Sequence, residues 1–351
     1  MDVKELFRMA RAKDCSDLHI TAGTALAIRR YGELMMLEDE NDYIPTIKEA
    51  EKMILSILTP EQRDKVLEGQ DIDVGSMLED GSRIRANVYH QRNNLAASIR
   101  LLESKIPTIE ELGLPTTVKK LAEMPRGLVL VTGPTGCGKS TTLASMLEHI
   151  NHTQNRHILT IEDPIEYIYK HDKAMVHQRE VGKDVDKFAT ALRSALREDP
   201  DVIMVGEMRD FETISAAITA AETGHLVLAT LHTTGAAQTV ERIIDGCPID
   251  VKNQIRLQLA NVLNGVITQQ LIKRADGEGR IAATEILLNN NAVANLIREN
   301  KSYQITSTIQ SNIAQGMHTL NHDLIRLIKE RIITKEAAMF FSPTPTELNS
   351  I

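Results

Sequence analysis

The octapeptide GPTGCGKS, residues 133–140, combines residue types and a spacing that can bind phosphate groups. It fits the pattern G-x-x-x-x-G-K-[ST], with the apolar run LVLVT (128–132) before it and a helical stretch after it. Glycines allow backbone N–H groups to turn around phosphate oxygens, and the start of a helix adds partial positive charge. The segment therefore predicts a P-loop that binds ATP.

The chemistry of such a loop assigns roles to its residues. Lys139 is a mobile positive charge for the β- and γ-phosphates, and the Ser140 hydroxyl is a ligand for Mg²⁺. The other predicted nucleotide-binding residues are Gly133, Pro134, Thr135, Gly136, Cys137, Gly138 and Thr141. ATP and Mg²⁺ are thus the predicted cofactors.

Carboxylates cluster in a second segment, ILTIEDPIEY (158–167), which contains Glu162, Asp163 and Glu166. The β-branched run 158–161 predicts a buried strand, and acids so close together repel one another unless they are compensated. A Mg²⁺ ion and a water that attacks the γ-phosphate would explain the cluster, with one carboxylate deprotonating the water and another holding the metal's hydration shell. An acidic loop in solvent is the alternative.

Two further polar residues follow apolar strands. Glu207 comes after the run VIMV (202–205), at the carboxyl edge where open α/β sheets bind ligands. It is expected to serve the metal, although an acid here could also partner a helix N-terminus. His232 comes after HLVLATL (225–231) and is interpreted as a γ-phosphate sensor or, more simply, as a hydrogen-bonding residue.

The segments around these motifs predict a two-domain α/β protein. Apolar strands alternate with helices after residue 126, which favours a parallel sheet covered on both faces. Residues 250–340, including the stretch NGVITQQLI, are predicted to be largely helical, and residues 341–351 to be a disordered tail. Residues 113–125 are proline-containing and are predicted to be a linker, with a separate domain over 1–112.

Within 1–112, two alternating segments, RIRANVY (83–89) and NNLAASIRLL (93–102), predict a hairpin. Pairing would place Arg83, Arg85 and Arg100 on the polar side of one sheet. Such residues are often only a solvated face.

Composition narrows the function classes. The chain has 351 residues and a net charge of −8, so a surface that binds nucleic acid directly is not expected. Its three cysteines lie far apart, which argues against a disulfide framework and a zinc knuckle. No secretory signal and no transmembrane run is seen, so a cytoplasmic location is expected, with membrane association only through a partner.

Four motifs in order, GPTGCGKSTT, ILTIEDPIEY, LREDPDVIMVGEMRD and AAETGHLVLATLHTT, resemble the Walker A, Asp box, Walker B and His box of the secretion ATPase superfamily. These enzymes serve type II secretion and type IV pilus machines. The resemblance implies a PAS-like domain (1–112) and a RecA-like ATPase domain (126–340). It also implies a homohexameric ring with ATP at boundaries between domains and subunits. The implied partner is an inner-membrane pilus platform protein, reached from the inner face of the membrane.

The resemblance also implies residue roles. Glu166 would be the catalytic base, Glu207 the Walker B acid and His232 the second histidine of the His box. Arg85 and Arg100 would reach ATP from the N-terminal domain, where a mobile positive charge can couple hydrolysis to movement. Ser140, Glu207, Glu162 and Asp163 are the candidates for contact with the metal.

A final segment, AVANLIRE (292–299), resembles the A-I-R-N-L-I-R-E motif of the retraction branch, with Ala294 in place of an arginine. It favours a pilus retraction motor, although an amphipathic helix packed into the core would show the same pattern. The alternatives are an assembly ATPase of a pilus or type II secretion machine, a nucleic-acid translocase, and a scaffold that only binds nucleotide. The assembly ATPases usually carry an extra N-terminal domain and a tetracysteine element, which are not found here.

Overall fold

The computed structural model describes residues 3–13, 15–37, 43–77, 83–102 and 105–349. The chain divides into two compact units, Met1–Lys105 and Ile106–Ile351. Among the described residues, no helix is both long enough and apolar enough to cross a bilayer.

The N-terminal unit is built on an antiparallel sheet. Its helices are α1 (Val3–Ala12), α2 (Ile47–Ser56) and α3 (Pro60–Leu67), and its strands are β1 (Cys15–Thr21), β2 (Ala27–Arg30), β3 (Glu33–Met36), β4 (Ile72–Met77), β5 (Arg83–Gln91) and β6 (Asn94–Leu102). The strand order is β3-β2-β1-β6-β5-β4. The predicted hairpin is confirmed as β5 and β6, with Arg85 opposite Arg100.

Local chemistry explains the helices of this unit. Four apolar side chains of α1, Val3, Leu6, Phe7 and Ala10, are buried on one face, as the spacing predicts. Helix α3 begins with a capping box. The Thr59 side chain accepts a hydrogen bond from the Gln62 amide, and the Gln62 side chain accepts one from the Thr59 amide.

The C-terminal unit contains the site motifs. Its strands are β7 (Gly127–Thr132), β8 (His157–Glu162), β9 (Met175–Glu180), β10 (Val202–Val205), β11 (Leu226–Leu231), β12 (Leu263–Lys273) and β13 (Arg280–Leu288). Its helices are α4 (Thr116–Ala122), α5 (Lys139–Thr153), α6 (Phe188–Ala195), α7 (Phe211–Glu222), α8 (Ala236–Asp245), α9 (Lys252–Val262), α10 (Asn291–Arg298), α11 (Ile305–Ser311), α12 (Leu320–Lys329) and α13 (Lys335–Phe341).

The sheet of this unit runs β13-β12-β7-β11-β10-β8-β9, and its neighbours are parallel except for β12 and β13. All residues of β7, β10 and β11 are buried, because apolar clusters cover both faces of the sheet. Helices α6 to α9 supply one cluster, and α4 and α5 contribute to the other. The predicted α/β class is confirmed, and the parallel strands end together at one edge.

The prediction of helix over NGVITQQLI is wrong. These residues form β12, which pairs with β7 on one side and with β13 on the other. The β-branched run Val266–Ile267–Thr268 favours a strand, and burial on both faces removes the alternation that would have revealed it. The helical C-terminal region begins later, at α10.

Two boundaries also differ from expectation. The division between the units falls at residues 105 and 106, and the predicted linker 113–125 contains α4, whose Val118 and Leu121 are buried in the core. The predicted disordered tail is ordered through residue 349. Leu348, at the end of a 3-10 helix (Pro345–Leu348), is fully buried because its side chain packs in a small apolar cluster with α12 and α13.

Candidate active site

The P-loop connects β7 to α5 and has glycines at three positions with positive φ angles. Gly133, Gly136 and Gly138 have φ angles of 141°, 78° and 90°. A Cβ at Gly133 would overlap the carbonyl oxygen of Gln269 and lie 2.6 Å from Cys137 Sγ. The loop is therefore closed tightly against β12.

Gln269 of β12 is a residue that sequence reasoning missed. Its side chain is buried; Nε2 donates to the Cys137 carbonyl at 2.6 Å, and Oε1 accepts from the Thr142 hydroxyl at 2.9 Å. One amide thus ties the P-loop to the first turn of α5. A glutamine within an apolar run was the available signal, but it was assigned to a helix.

The pKa of Lys139 is affected by the charges of both candidate acids. Its Nζ donates to the carbonyls of Gly133 at 2.8 Å and Pro134 at 3.0 Å. Burial lowers the pKa of Lys139, and the charges on Glu207 and Glu166 oppose that shift. The P-loop lysine and the two predicted catalytic acids all follow the carboxyl ends of strands of one sheet, β7, β8 and β10. Ser140 is exposed in the first turn of α5.

Glu162 ends β8 and is buried, with 7% of its surface exposed. Its Oε1 accepts from the Thr160 hydroxyl at 2.7 Å and from Gln178 Nε2 at 3.2 Å, and its Oε2 accepts from the Glu166 amide at 3.3 Å. Burial raises the pKa of Glu162 from 4.5 to about 7. Both oxygens are thus used inside the protein.

The two other acids of this segment are more accessible than Glu162. Asp163 is exposed, and Glu166 is half-buried. The amide of Glu166 is held by Glu162, and the preceding amide, of Ile165, donates to Glu180 Oε2 at 3.2 Å. The Glu166 backbone is therefore fixed, and the charge of its carboxylate acts to raise the pKa of Lys139.

Glu207 follows β10 after one intervening residue, Gly206. The amide of Gly206 donates to the Ile161 carbonyl at 2.8 Å, which continues the pairing with β8 to the end of the strand. Glu207 Oε1 lies 2.6 Å from Arg209 Nε, and Oε2 lies 3.6 Å from Nε2 of the half-exposed His232. The predicted Walker B acid and His-box histidine therefore meet. Arg209 was not predicted, although it follows in the same motif.

The donors at this edge suit a magnesium ion that is bound mainly through phosphates. In the part of the chain that the structure describes, no three or more His, Cys, Asp or Glu side chains are arranged to hold a metal by themselves. Mg²⁺ in nucleotide sites takes one or two protein oxygens and completes its shell with phosphate and water. The Ser140 hydroxyl and the Glu207 carboxylate are oxygen donors of this kind.

The candidate arginines belong to the N-terminal unit. Arg85 and Arg100 lie opposite each other on β5 and β6. Arg100 Nε lies 3.0 Å from Asp17 Oδ1, and the other oxygen of Asp17 accepts from the Ser16 hydroxyl at 2.8 Å. Asp17, in the segment SDLHI (16–20) of β1, thus supplies a carboxylate that orients Arg100.

A model of the type II/IV secretion system protein family matches residues 3–339. The chain belongs to this family. The match spans all four motifs of the site and the N-terminal unit, and it confirms the resemblance inferred from the motifs.

Relatives within the family extend the likeness over nearly the whole chain. The type IV pilus retractation ATPase PilT of Pseudomonas aeruginosa is 46% identical over 340 residues, which cover 96% of this chain and 97% of that protein. A twitching motility protein of Neisseria gonorrhoeae is 50% identical over 291 residues, covering 83% and 78%. The crystal structure of the pilus retraction motor PilT with bound ADP superposes with a TM-score of 0.88, at 45% identity and with 100% of both chains covered.

Proposed function

We propose that this protein is a Mg²⁺-dependent ATPase that powers the retraction of type IV pili. The observation that carries the proposal is the placement of Lys139, Glu166 and Glu207 after the carboxyl ends of β7, β8 and β10, which are strands of the same sheet. The likeness to retraction and twitching motility proteins along nearly the full chain supports the biological role.

The P-loop residues bind and orient the nucleotide. The backbone of residues 133–138 surrounds the phosphates, and Lys139 exchanges its loop carbonyls for β- and γ-phosphate oxygens. The Ser140 hydroxyl and Glu207 would hold Mg²⁺, which would supply positive charge to neutralise charge on the phosphates.

Glu166 is the general base in this proposal. Its backbone is anchored, its carboxylate is half-buried, and it lies near enough to Lys139 to act on its charge. It orients and deprotonates the water that attacks the γ-phosphate. Glu162 fits a supporting role better than the metal contact expected from sequence, because both of its oxygens are hydrogen-bonded within the protein.

His232 and Arg209 border the Walker B acid. Because both side chains lie beside Glu207, a change at the γ-phosphate is transmitted to them through this carboxylate. His232 serves as the γ-phosphate sensor.

The mechanical part of the proposal needs more than one subunit. We infer a cytoplasmic homohexamer that engages an inner-membrane platform protein and is peripheral to the membrane. Arg85 and Arg100 reach ATP from the N-terminal domain, so that contacts differ between the ATP and ADP states and closure does work.

The helix that carries AVANLIRE supports retraction without deciding it. Val293, Ala294 and Ile297 of α10 are buried, so this helix does pack into the core through one face. Ala294 replaces the arginine of the motif at a position facing that core, where a small side chain fits. Asn295, Arg298 and Glu299 remain exposed on the other face.

The decisive experiment counts surface pili in cells that lack this chain and are complemented with wild type or with Glu166→Gln. An excess of static pili and lost surface motility, rescued only by wild type, is the expected result. Purified Glu166→Gln should bind ATP and turn it over at least about a hundredfold more slowly, because the water loses its base. Bald cells would instead indicate an assembly ATPase, and a Glu166→Gln variant that retracts pili would contradict the catalytic assignment.

A further inference from the structure

Gln178 lies on β9 and forms three hydrogen bonds to the segment that carries Glu166. Its Nε2 donates to Glu162 Oε1 at 3.2 Å and to the Tyr167 carbonyl at 2.8 Å. Its Oε1 accepts from the Tyr169 amide at 3.1 Å. All the hydrogen-bonding directions of one amide except one lone pair are thereby aimed at residues 162–169.

This segment needs such support, because residues 163–170 belong to no helix or strand. Its backbone groups must therefore be satisfied by side chains or water. Glu162 takes the amide of Glu166, Glu180 takes that of Ile165, and Gln178 takes groups of Tyr167 and Tyr169. Of these three side chains, that of Gln178 bonds to residues on both sides of Glu166 along the chain.

We propose that Gln178 is a positioning residue for ATP hydrolysis: its amide clamps Glu162 and Tyr167 so that the intervening Glu166 faces the attacking water. The inference rests on the proposed ATPase function and extends it to a residue outside the four motifs. The glutamine amide donates two hydrogen bonds and accepts one. An ionised glutamate of the same shape can only accept, so it cannot replace Gln178 here.

The geometry of Glu162 supports the same role. Gln178 Nε2 donates to Glu162 Oε1, and the Glu166 amide donates to Glu162 Oε2. The bond from Gln178 therefore orients the carboxylate that holds the Glu166 backbone. Removing the donor weakens the anchor of the base without touching the P-loop.

The test compares purified full-length wild type, Gln178→Glu and Gln178→Ala in steady-state ATP turnover. His177→Gln is the matched control, because His177 is the neighbouring residue on β9 and its ring nitrogen lies 3.1 Å from that of His157 instead. We expect Gln178→Glu to lower kcat by about tenfold to a hundredfold while the KM for ATP changes by less than about threefold, because orientation and not nucleotide binding is lost. His177→Gln should keep wild-type kcat.

The pH profile separates positioning from a general loss of structure. The introduced carboxyl group regains a donor when it is protonated, so the kcat of Gln178→Glu relative to wild type should rise as pH falls from about 8 to about 6. The titratable residues that bond to Gln178 are Glu162, Tyr167 and Tyr169, and Glu166 and Glu180 bond to the same segment. Gln178→Ala has no such proton and should show no such recovery.

Three results would overturn the inference. One is wild-type kcat in both Gln178 variants. Another is an equal loss in His177→Gln, and the third is a lowered kcat in Gln178→Glu that stays in constant proportion at every pH with a matching fall in melting temperature. A wild-type protein without ATP turnover would instead overturn the proposed function itself.

Discussion

At the scale of single residues, Glu162 and Glu166 show how position decides the role of a carboxylate. They lie in one short motif, yet Glu162 is buried with both oxygens hydrogen-bonded and Glu166 is half-buried near Lys139. Sequence reasoning identified the motif and named Glu166 as the base through family resemblance, and that role stays a prediction. It could not foresee that Glu162 turns inward, because the partners are ordinary polar residues, Thr160 of the same strand and Gln178 of the neighbouring strand.

The buried carboxyl of Glu162 predicts a pH dependence of stability. Its pKa is raised from 4.5 to about 7 in the fold, so between these values the native state holds a proton that the unfolded chain has lost. Stability from this group is therefore present below about pH 4.5 and falls as pH rises to about 7. Glu162→Gln lacks this titrating group. As pH rises over this range, its free energy of unfolding should therefore increase relative to that of wild type by up to about 3 kcal/mol.

Urea unfolding of wild type and Glu162→Gln at about pH 5 and about pH 8 measures this difference. Glu241→Gln, at an exposed position on α8, is the control. Equal pH dependence in wild type and Glu162→Gln would show that the carboxyl is not buried as described.

At the scale of elements, prediction succeeded where a motif and a regular pattern coincide. Strands β7, β8, β10 and β11 and helix α5 flank the site motifs, and all were predicted from apolar runs bounded by glycines or acids. Strand β12 was missed because a strand buried on both faces cannot be told from a buried helix by periodicity. Since Gln269 sits on β12, the P-loop anchor was missed with it.

That anchor gives a prediction for β12. Gln269→Leu keeps the volume but leaves the Cys137 carbonyl and the Thr142 hydroxyl without this partner. We expect a loss of about 1–3 kcal/mol in free energy of unfolding and a KM for ATP raised by about tenfold, because the loop that binds phosphate is loosened. Gln270→Leu, at the next and more exposed position, should cost far less. An unchanged KM in Gln269→Leu would refute this account of the loop.

At the scale of the whole molecule, the residues that the family resemblance assigns to ATP lie in two units. The family match covers both units. The P-loop lies in the C-terminal unit, and the two arginines assigned to ATP by the resemblance lie on β5 and β6 of the N-terminal unit. Composition and motifs were enough to predict two units. The division came out earlier in the chain than predicted, because two prolines made a packed helix resemble a linker.

The proposed role of Arg100 at ATP predicts a kinetic defect without a folding defect. Arg100→Ala should lower kcat for ATP by at least about tenfold, because an arginine at the γ-phosphate stabilises the transition state. The melting temperature should stay near wild type, since the ion pair with Asp17 is partly exposed. Lys48→Ala, an exposed change on α2, is the control. Wild-type kcat in Arg100→Ala would indicate that Arg100 is only a solvent-exposed residue of its sheet and does not act on ATP.

The central place of β7 has a consequence for the protein during synthesis. The strand that carries the P-loop lies between β11 and β12, so neither of its neighbours comes next along the chain. The hydrogen bond that closes the loop joins Cys137 to Gln269, 132 residues later. A ribosome must therefore release about the whole sheet before the nucleotide site can close, and until then β7 exposes an apolar strand on both sides. Binding of ATP to a nascent chain would thus begin late, and chaperones that recognise apolar strands would have their opportunity before it.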